Sequence, residues 1–130
     1  MKKDTARTAK IKAAWRYAKE HFKDKEERNI AFVRQLKVEP CTDCKEHYPY
    51  WVMDFDHVPD RGKKKFGIGK SKSKTLKEIL KELRKCDLVC SNCHRTRTYY
   101  RARNRFIIMQ AMLDRTDFKV PKKFREYTLK

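Results

Sequence analysis

Four cysteines form two pairs whose spacing suits metal ligation: Cys41 with Cys44, and Cys90 with Cys93. A two-residue gap lets two thiolates from one tight turn occupy neighbouring corners of a tetrahedron about 2.3 Å from zinc, and two such turns complete the site. A closed four-thiolate site leaves no open position, so the pattern predicts a structural Zn²⁺ whose binding energy contributes to folding. A fifth cysteine, Cys86, lies outside both pairs and is expected to be a buried or half-buried thiol.

A cluster of acidic and imidazole side chains lies next to these pairs. Asp54, Asp56 and His57 follow the first pair, and His94 comes directly after Cys93. If zinc draws the two turns together, Asp56 and His57 come near His94. A carboxylate and an imidazole then suit a divalent catalytic ion with open positions, while His57 remains as a general base for water. The alternative for Asp56 and His57 is a surface pair or a hydrogen-bonded strand end.

Helical periodicity marks the segment before the first cysteine pair. Residues 5–27 are predicted to form an amphipathic helix, since apolar residues recur with helical spacing at Ile11, Trp15, Ala18 and Phe22. This stripe is expected to pack on the domain; the alternative is an arm laid along a phosphate backbone. A second, shorter helix is expected over 26–38 and is ended by Pro40.

The segments between and after the cysteine pairs are predicted to be a strand followed by helices. Residues 48–58 are rich in aromatic and β-branched residues, which favours a strand, and Lys65–Ile68 is a candidate short strand returning to it. Thr75 and Glu78 form a capping box that begins a helix running to about Lys85. Two further helices are expected, the first opening at the second cysteine pair: 90–104 and 105–114.

The chain carries 35 Lys and Arg against 17 Asp and Glu, for a formal net charge of +18. A small surface with this charge attracts polyanions, among which nucleic acid is the commonest. The basic residues concentrate in two acid-free stretches, 61–77 and 95–105, that flank the predicted metal site. The alternative is that these residues only form a solvated face. The predicted nucleic-acid contacts are Arg61, Lys63, Lys64, Lys65, Lys70, Lys72, Arg95, Arg97 and Arg101.

Length and composition exclude several classes of protein. The chain of 130 residues allows one domain with terminal extensions. An odd number of cysteines, two CxxC pairs and a basic N-terminus without a following apolar region argue against a secreted disulfide scaffold. The longest apolar runs fall far below the roughly 20 residues that cross a bilayer, so no membrane association is expected.

Three segments together resemble one nuclease family. Cys41-Thr-Asp-Cys44, Met53-Asp-Phe-Asp-His-Val58 and Cys90-Ser-Asn-Cys-His-Arg-Thr-Arg97 are similar to the motifs of small zinc-stapled HNH endonucleases of phages and bacteria, over residues 28–100. The resemblance implies an α+β fold with a ββα-metal core and a four-Cys structural zinc site, flanked by N-terminal and C-terminal helices. It divides the chain into a basic helical arm (1–27), a zinc-stapled HNH nuclease domain (28–104), and a short helix with a basic tail (105–130).

The resemblance also implies roles for individual residues. Asp56 and His94 hold the catalytic ion, Mg²⁺ or Mn²⁺, and His57 is the general base. Arg95 and Arg97 are candidates for clamping the phosphate. The substrate is double-stranded DNA, cut one strand at a time with 5′-phosphate products, so double-strand breaks require a homodimer or a partner protein. The expected location is the cytoplasm of a bacterial or phage-infected cell.

One position departs from the family pattern, and it leaves other functions open. Many family members have an Asn five residues before the second cysteine pair, which pins the loop presenting the base; this chain has Lys85 there. The main alternative is a non-catalytic zinc-stapled DNA- or RNA-binding module, a degenerate HNH domain. A third is a helix-rich interaction protein in which the cysteines are incidental.

Overall fold

A computed structural model of the chain describes the backbone of residues 2–103 and the side chains of residues 6–102. The predicted helix over 105–114 and the basic tail lie outside these residues. Within 2–103, no helix has the length and apolar character needed to cross a bilayer. The elements are α1 (Lys2–His21), α2 (Lys25–Leu36), β1 (Met53–His57), α3 (Leu76–Leu83), β2 (Cys86–Cys90) and α4 (Ser91–Arg103).

The N-terminal segment forms two helices, and the first of them ends earlier than predicted. The helix expected over 5–27 ends at His21, and α2 begins at Lys25. The cause is Asp24, whose carboxylate accepts a hydrogen bond from the Glu27 N–H at 3.1 Å and caps α2. A short polar side chain that satisfies a free N–H favours a new helix start over continuation of the old one.

The apolar stripe of α1 packs on the domain, as one of the two alternatives predicted. Ala18 and Phe32 are fully buried, and the Trp15 ring meets the Phe32 ring edge-on at 5.4 Å. Ile79 and Leu83 of α3 complete this core, which joins α1, α2 and α3. Burial of these side chains supplies the main hydrophobic stabilisation of the helical part.

The two strands pair antiparallel, with Met53 opposite Cys90 and His57 opposite Cys86. The strand predicted over 48–58 is shorter in the structure, where it covers Met53–His57. Residues 50–52 form a 3-10 turn instead. The returning strand predicted at Lys65–Ile68 is wrong. Ile68 begins another 3-10 turn and is buried in the helical core, and β2 is the strand that pairs with β1.

The helix α3 starts where the sequence predicts and stops slightly earlier. Thr75 Oγ1 accepts from the Glu78 N–H at 3.2 Å, and the Glu78 carboxylate accepts from the Thr75 N–H at 2.8 Å. This confirms the capping box. The helix ends at Leu83, and the Lys85 carbonyl accepts from the Val58 N–H at 2.8 Å, which leads the chain directly into β2.

Candidate functional site

The four paired cysteines form one cluster, here named the thiol cluster: Cys41, Cys44, Cys90 and Cys93. All four Sγ atoms lie within 4.8 Å of one another, and Cys44 Sγ is 4.0 Å from Cys90 Sγ. Sulfurs at the corners of a tetrahedron about 2.3 Å from zinc are about 3.8 Å apart. The cluster therefore fits a structural Zn²⁺, and it joins the turn before β1 to the start of α4.

Backbone N–H groups favour the thiolate form within the thiol cluster. The Cys90 N–H donates to Cys41 Sγ at 3.3 Å, and the Cys93 N–H donates to Cys90 Sγ at 3.5 Å. Burial acts to raise the pKa of Cys41, but N–H donors of Cys44, Cys90 and Asp43 lower that pKa to about 7. Since the thiolate is the metal-binding form, these N–H groups prepare Cys41 for zinc, whereas burial raises the pKa of Cys90 and of Cys93.

The fifth cysteine is an ordinary buried thiol, as predicted. Cys86 is 1% exposed, and its Sγ donates to the Glu82 carbonyl at 3.5 Å. Burial raises the pKa of Cys86 to about 12, so the thiol stays protonated and unreactive.

Asp54 and Asp56 lie on one side of β1, named the Asp56 face, against α4. His94 Nδ1 is 3.0 Å from Asp54 Oδ2, and His94 Nε2 is 3.3 Å from Asp56 Oδ1. Both ring nitrogens of His94 therefore face a carboxylate oxygen, and donation of Nδ1–H to Asp54 would leave Nε2 as the atom that can bind a metal ion. The predicted pair Asp56 and His94 is thus brought together, with oxygen and nitrogen donors that suit a divalent ion.

Two arginines also donate hydrogen bonds to the Asp56 carboxylate. Arg101 donates to both oxygens at 2.7 and 2.8 Å, and Arg97 Nη1 donates to Oδ2 at 2.9 Å. Burial acts to raise the pKa of Asp56, but the hydrogen bonds from Arg101 and Arg97 lower it below its usual range. The carboxylate is therefore ionised at neutral pH, and a divalent ion bound there would compete with Arg101.

Arg97 is not the exposed phosphate clamp that the sequence predicts. Its side chain is buried, with 2% exposure, because Asp43, Asp56 and Asp87 surround its guanidinium. The bonds to Asp43 are bidentate, at 2.6 and 2.7 Å. Arg97 therefore ties the first cysteine turn to both strands and to α4, a structural function that depends on three carboxylates far apart in the sequence.

His57 lies on the opposite side of β1, named the His57 face, with Phe55. Consecutive strand residues point to opposite sides, so His57 extends from the side of β1 that faces away from Asp54 and Asp56. The two faces also have different partners: Phe55 packs on the helical core, and His57 Nε2 lies 2.9 Å from Glu82 Oε1 of α3. The structure thus brings Asp56 and His94 together and pairs His57 with Glu82.

Glu82 is a buried carboxylate that the sequence analysis missed. It is 1% exposed, and although burial acts to raise its pKa, hydrogen bonds from the Lys65 N–H, Lys85 and His57 lower that pKa to about 2. An ionised carboxylate only accepts, so His57 Nε2 carries the hydrogen and Nδ1 is the atom able to accept a proton. The available signal was a Glu three residues after Ile79, on the apolar side of α3.

Lys85 ties the loop after β1 to the His57 face. Its Nζ donates to Glu82 Oε2 at 2.9 Å and to the Lys63 carbonyl at 2.8 Å. Glu82 Oε1 also accepts from the Lys65 N–H at 2.9 Å. Through these bonds, Glu82 and Lys85 together hold both His57 and the loop that follows it.

The remaining basic residues are largely on the surface. Arg95 and the lysines of the loop are exposed, whereas Arg101 is half-buried and Arg61 donates to Asp87 at 2.8 Å. The buried Asn29 side chain donates to the carbonyls of Ser71, Lys72 and Lys74 within 3.1 Å, which fixes one end of the lysine loop on α2. The exposed members of the predicted contact set are Arg61, Lys63, Lys64, Lys65, Lys70, Lys72 and Arg95.

Comparisons of the chain with protein-family models, with curated proteins and with solved structures found no match. The functional argument therefore depends on the thiol cluster and on the two faces of β1.

Proposed function

We propose that the protein is a metal-dependent endonuclease that hydrolyses DNA phosphodiester bonds, with an HNH-like core of two strands and the helix α4. One observation carries the proposal: the imidazoles at the end of β1 and in the first turn of α4 each have a carboxylate within hydrogen-bond distance of a ring nitrogen. Asp54 holds His94, and the buried Glu82 holds His57. A surface charge pair has no need of this arrangement, whereas a metal ligand and a general base both require a defined nitrogen lone pair.

Asp56 and His94 would hold the catalytic ion, Mg²⁺ or Mn²⁺, through a carboxylate oxygen and Nε2. Such an ion, when bound, neutralises charge on the scissile phosphate and on the departing oxygen. The Asp56 carboxylate is already ionised, since Arg97 and Arg101 lower its pKa. For the ion to bind, the half-buried Arg101 must withdraw at least one of its two hydrogen bonds, and the released guanidinium is then available to a phosphate.

His57 would act as the general base. Nδ1 takes the proton of a water molecule, and the ionised Glu82 on Nε2 stabilises the imidazolium that results. Attack on a phosphate is in line, with the entering and leaving oxygens on opposite sides of the phosphorus. The strand alternation suits this requirement, because a phosphate lying across the end of β1 would meet His57 on one side and Asp56 on the other.

The exposed lysines of the loop between β1 and α3 would supply contacts to the DNA backbone that do not depend on sequence. Affinity should therefore fall steeply with salt. One ion and one base form a single hydrolytic site, so the expected product is a nick in one strand, and a double-strand break would need two copies or a partner protein.

The second candidate is a non-catalytic zinc-stapled DNA- or RNA-binding module. The observation that favours it is the state of Asp56, whose two oxygens already receive hydrogen bonds from Arg97 and Arg101. In that case the Asp56 face serves only to fix α4 on the sheet. Both candidates predict zinc and salt-dependent binding, and they differ in hydrolysis alone.

Nicking of supercoiled plasmid tests the choice between them. The zinc-loaded protein should convert supercoiled to open-circular plasmid with Mg²⁺ or Mn²⁺ and not with chelator. His57→Ala should slow nicking by about 100-fold or more, the usual contribution of a general base. The matched control is His21→Ala, which removes an exposed imidazole on α1 and should leave the rate unchanged. Equal rates for wild type and His57→Ala would refute the assigned base.

A further inference from the structure

An exposed aromatic pair lies directly before β1, in the 3-10 turn of Tyr50–Val52. Trp51 is 73% exposed, the largest exposure among the large apolar side chains that the structure describes, and Tyr50 is 38% exposed. Their rings meet edge-on at 5.3 Å, and most of the indole surface stays open to solvent. Neither ring belongs to the two buried clusters of the fold, which means that packing does not account for Trp51.

Trp51 borders a groove between α2 and the 3-10 turn of Ile68–Ser73, here named the Trp51 groove. Its volume is about 350 Å³, near the lower end of the range of about 300–1,000 Å³ for small-ligand sites. The lining combines apolar side chains such as Val33 with cationic ones, and no acidic residue is among the described residues that form it. Its cationic members are Arg34, Lys37 and Lys72.

The walls of the Trp51 groove are held in place. The Arg34 guanidinium lies over the Tyr50 ring at 4.8 Å, and the Lys37 ammonium lies over the Phe55 ring at 5.8 Å. On the opposite wall, the buried Asn29 binds the carbonyl of Lys72. The groove therefore offers an aromatic surface and fixed positive charge without reorganisation.

We propose that the Trp51 groove binds an unpaired nucleobase of single-stranded DNA. The indole would stack on the base, while Arg34 and Lys72 meet the flanking phosphates. Exposed aromatic faces beside cationic side chains are the general means by which proteins bind single strands without sequence preference. A duplex offers no free base face, so this groove would select melted or already cut DNA. The inference rests on the proposed function for its choice of DNA as the polyanion.

The groove also lies close to the proposed active site along the chain. Asp54, whose carboxylate contacts His94, follows Trp51 by three residues, so the two lie at most about 10 Å apart along the backbone. A strand bound through the Trp51 groove would therefore be held about one or two nucleotides from the ion site. This placement fits a nuclease that separates the strands beside the bond it cuts.

Binding of (dT)₁₂ and of a 12-base-pair duplex, measured by anisotropy at fixed salt, tests the inference. Trp51→Ala should weaken (dT)₁₂ binding by about tenfold or more, as expected for one lost stacking contact, and change duplex binding by less than twofold. Trp51→Phe should restore most of the loss, because a phenyl ring still stacks. Tyr17→Ala, which removes an exposed aromatic outside the groove, should leave both affinities unchanged.

The outcomes separate this inference from the proposed function. Unchanged (dT)₁₂ affinity for Trp51→Ala, or an equal loss for (dT)₁₂ and duplex, would overturn the groove even if the plasmid is nicked. Selective loss of (dT)₁₂ binding supports the groove even if no nicking occurs. Tighter binding of wild type to (rU)₁₂ than to (dT)₁₂ would overturn the choice of DNA. Zinc content and circular dichroism of each variant should match wild type.

Discussion

The two faces of β1 carry the same kinds of side chain in different arrangements. On the Asp56 face, Asp56 meets two guanidinium groups and the His94 ring. On the His57 face, one buried carboxylate, Glu82, meets one imidazole and one ammonium. The first arrangement neutralises a carboxylate completely, and the second leaves one imidazole nitrogen able to accept a proton. The strand thus separates a side of several ion pairs that fixes α4 from a side on which we propose that proton transfer occurs.

Loss of zinc should have the largest effect on stability. The zinc would hold the turn before β1 to the end of β2 and the start of α4, so both faces of β1 depend on it. Cys90→Ser or strong chelation is expected to unfold the sheet and α4, since apparent zinc binding energies of about 10–16 kcal/mol are folding energy in small domains. Metal analysis and near-ultraviolet circular dichroism measure this. Cys86→Ala is the matched control and should keep one zinc per chain. A fully folded zinc-free protein would contradict the assignment.

Removal of Arg97 should cause the second largest loss of stability. Arg97→Met leaves Asp43, Asp56 and Asp87 without their shared cation, and loss of one partner from a buried ion pair costs about 3–5 kcal/mol. Arg95→Met, two residues earlier and exposed, should cost less than about 0.5 kcal/mol. Urea unfolding of the two zinc-loaded variants makes the comparison. Equal stabilities would show that the Asp56 face is not a structural network.

The sequence predicts one of these faces better than the other. The thiol cluster, the capping box of α3 and the contact of Asp56 with His94 follow from spacing and local chemistry. Burial of Arg97 does not, because its three carboxylates come from the first cysteine turn and from both strands. Strand β2, Cys-Asp-Leu-Val-Cys, was not predicted because it has only five residues and its last one, Cys90, also begins the second cysteine turn. Glu82 escaped because a carboxylate on a helix is usually solvent-exposed.

Acid should lower the stability of the protein, because it protonates Glu82 and so weakens the contacts of that carboxylate on the His57 face. The folded-state pKa of Glu82 is about 2, against an ordinary value of 4.5, so its stabilising effect is complete above pH 4.5 and is lost as pH falls toward 2. Glu82→Gln should be less stable than wild type by about 2 kcal/mol at pH 7, and the difference should narrow between pH 4.5 and 2. Urea titrations at each pH measure it. A difference independent of pH would mean that Glu82 is not ionised in the folded protein.

The smallest effect on stability is expected outside both faces, in the exposed lysine loop. Lys64→Gln removes one exposed charge and should change the free energy of unfolding by less than about 0.5 kcal/mol. Each lost phosphate contact should lower the slope of log affinity against log salt by about 0.9 for duplex DNA. Fluorescence anisotropy between about 50 and 200 mM salt measures the slope. An unchanged slope would exclude Lys64 from the DNA contact.

The central claim is that the Asp56 face binds a catalytic ion in addition to the zinc of the thiol cluster. Crystals soaked with Mn²⁺ and examined by anomalous diffraction test it directly. We expect a manganese peak bonded to Asp56 and His94 Nε2, with Arg101 withdrawn. Contradiction would come from crystals at saturating Mn²⁺ that show only the four-sulfur zinc, with Arg97 and Arg101 still paired to Asp56.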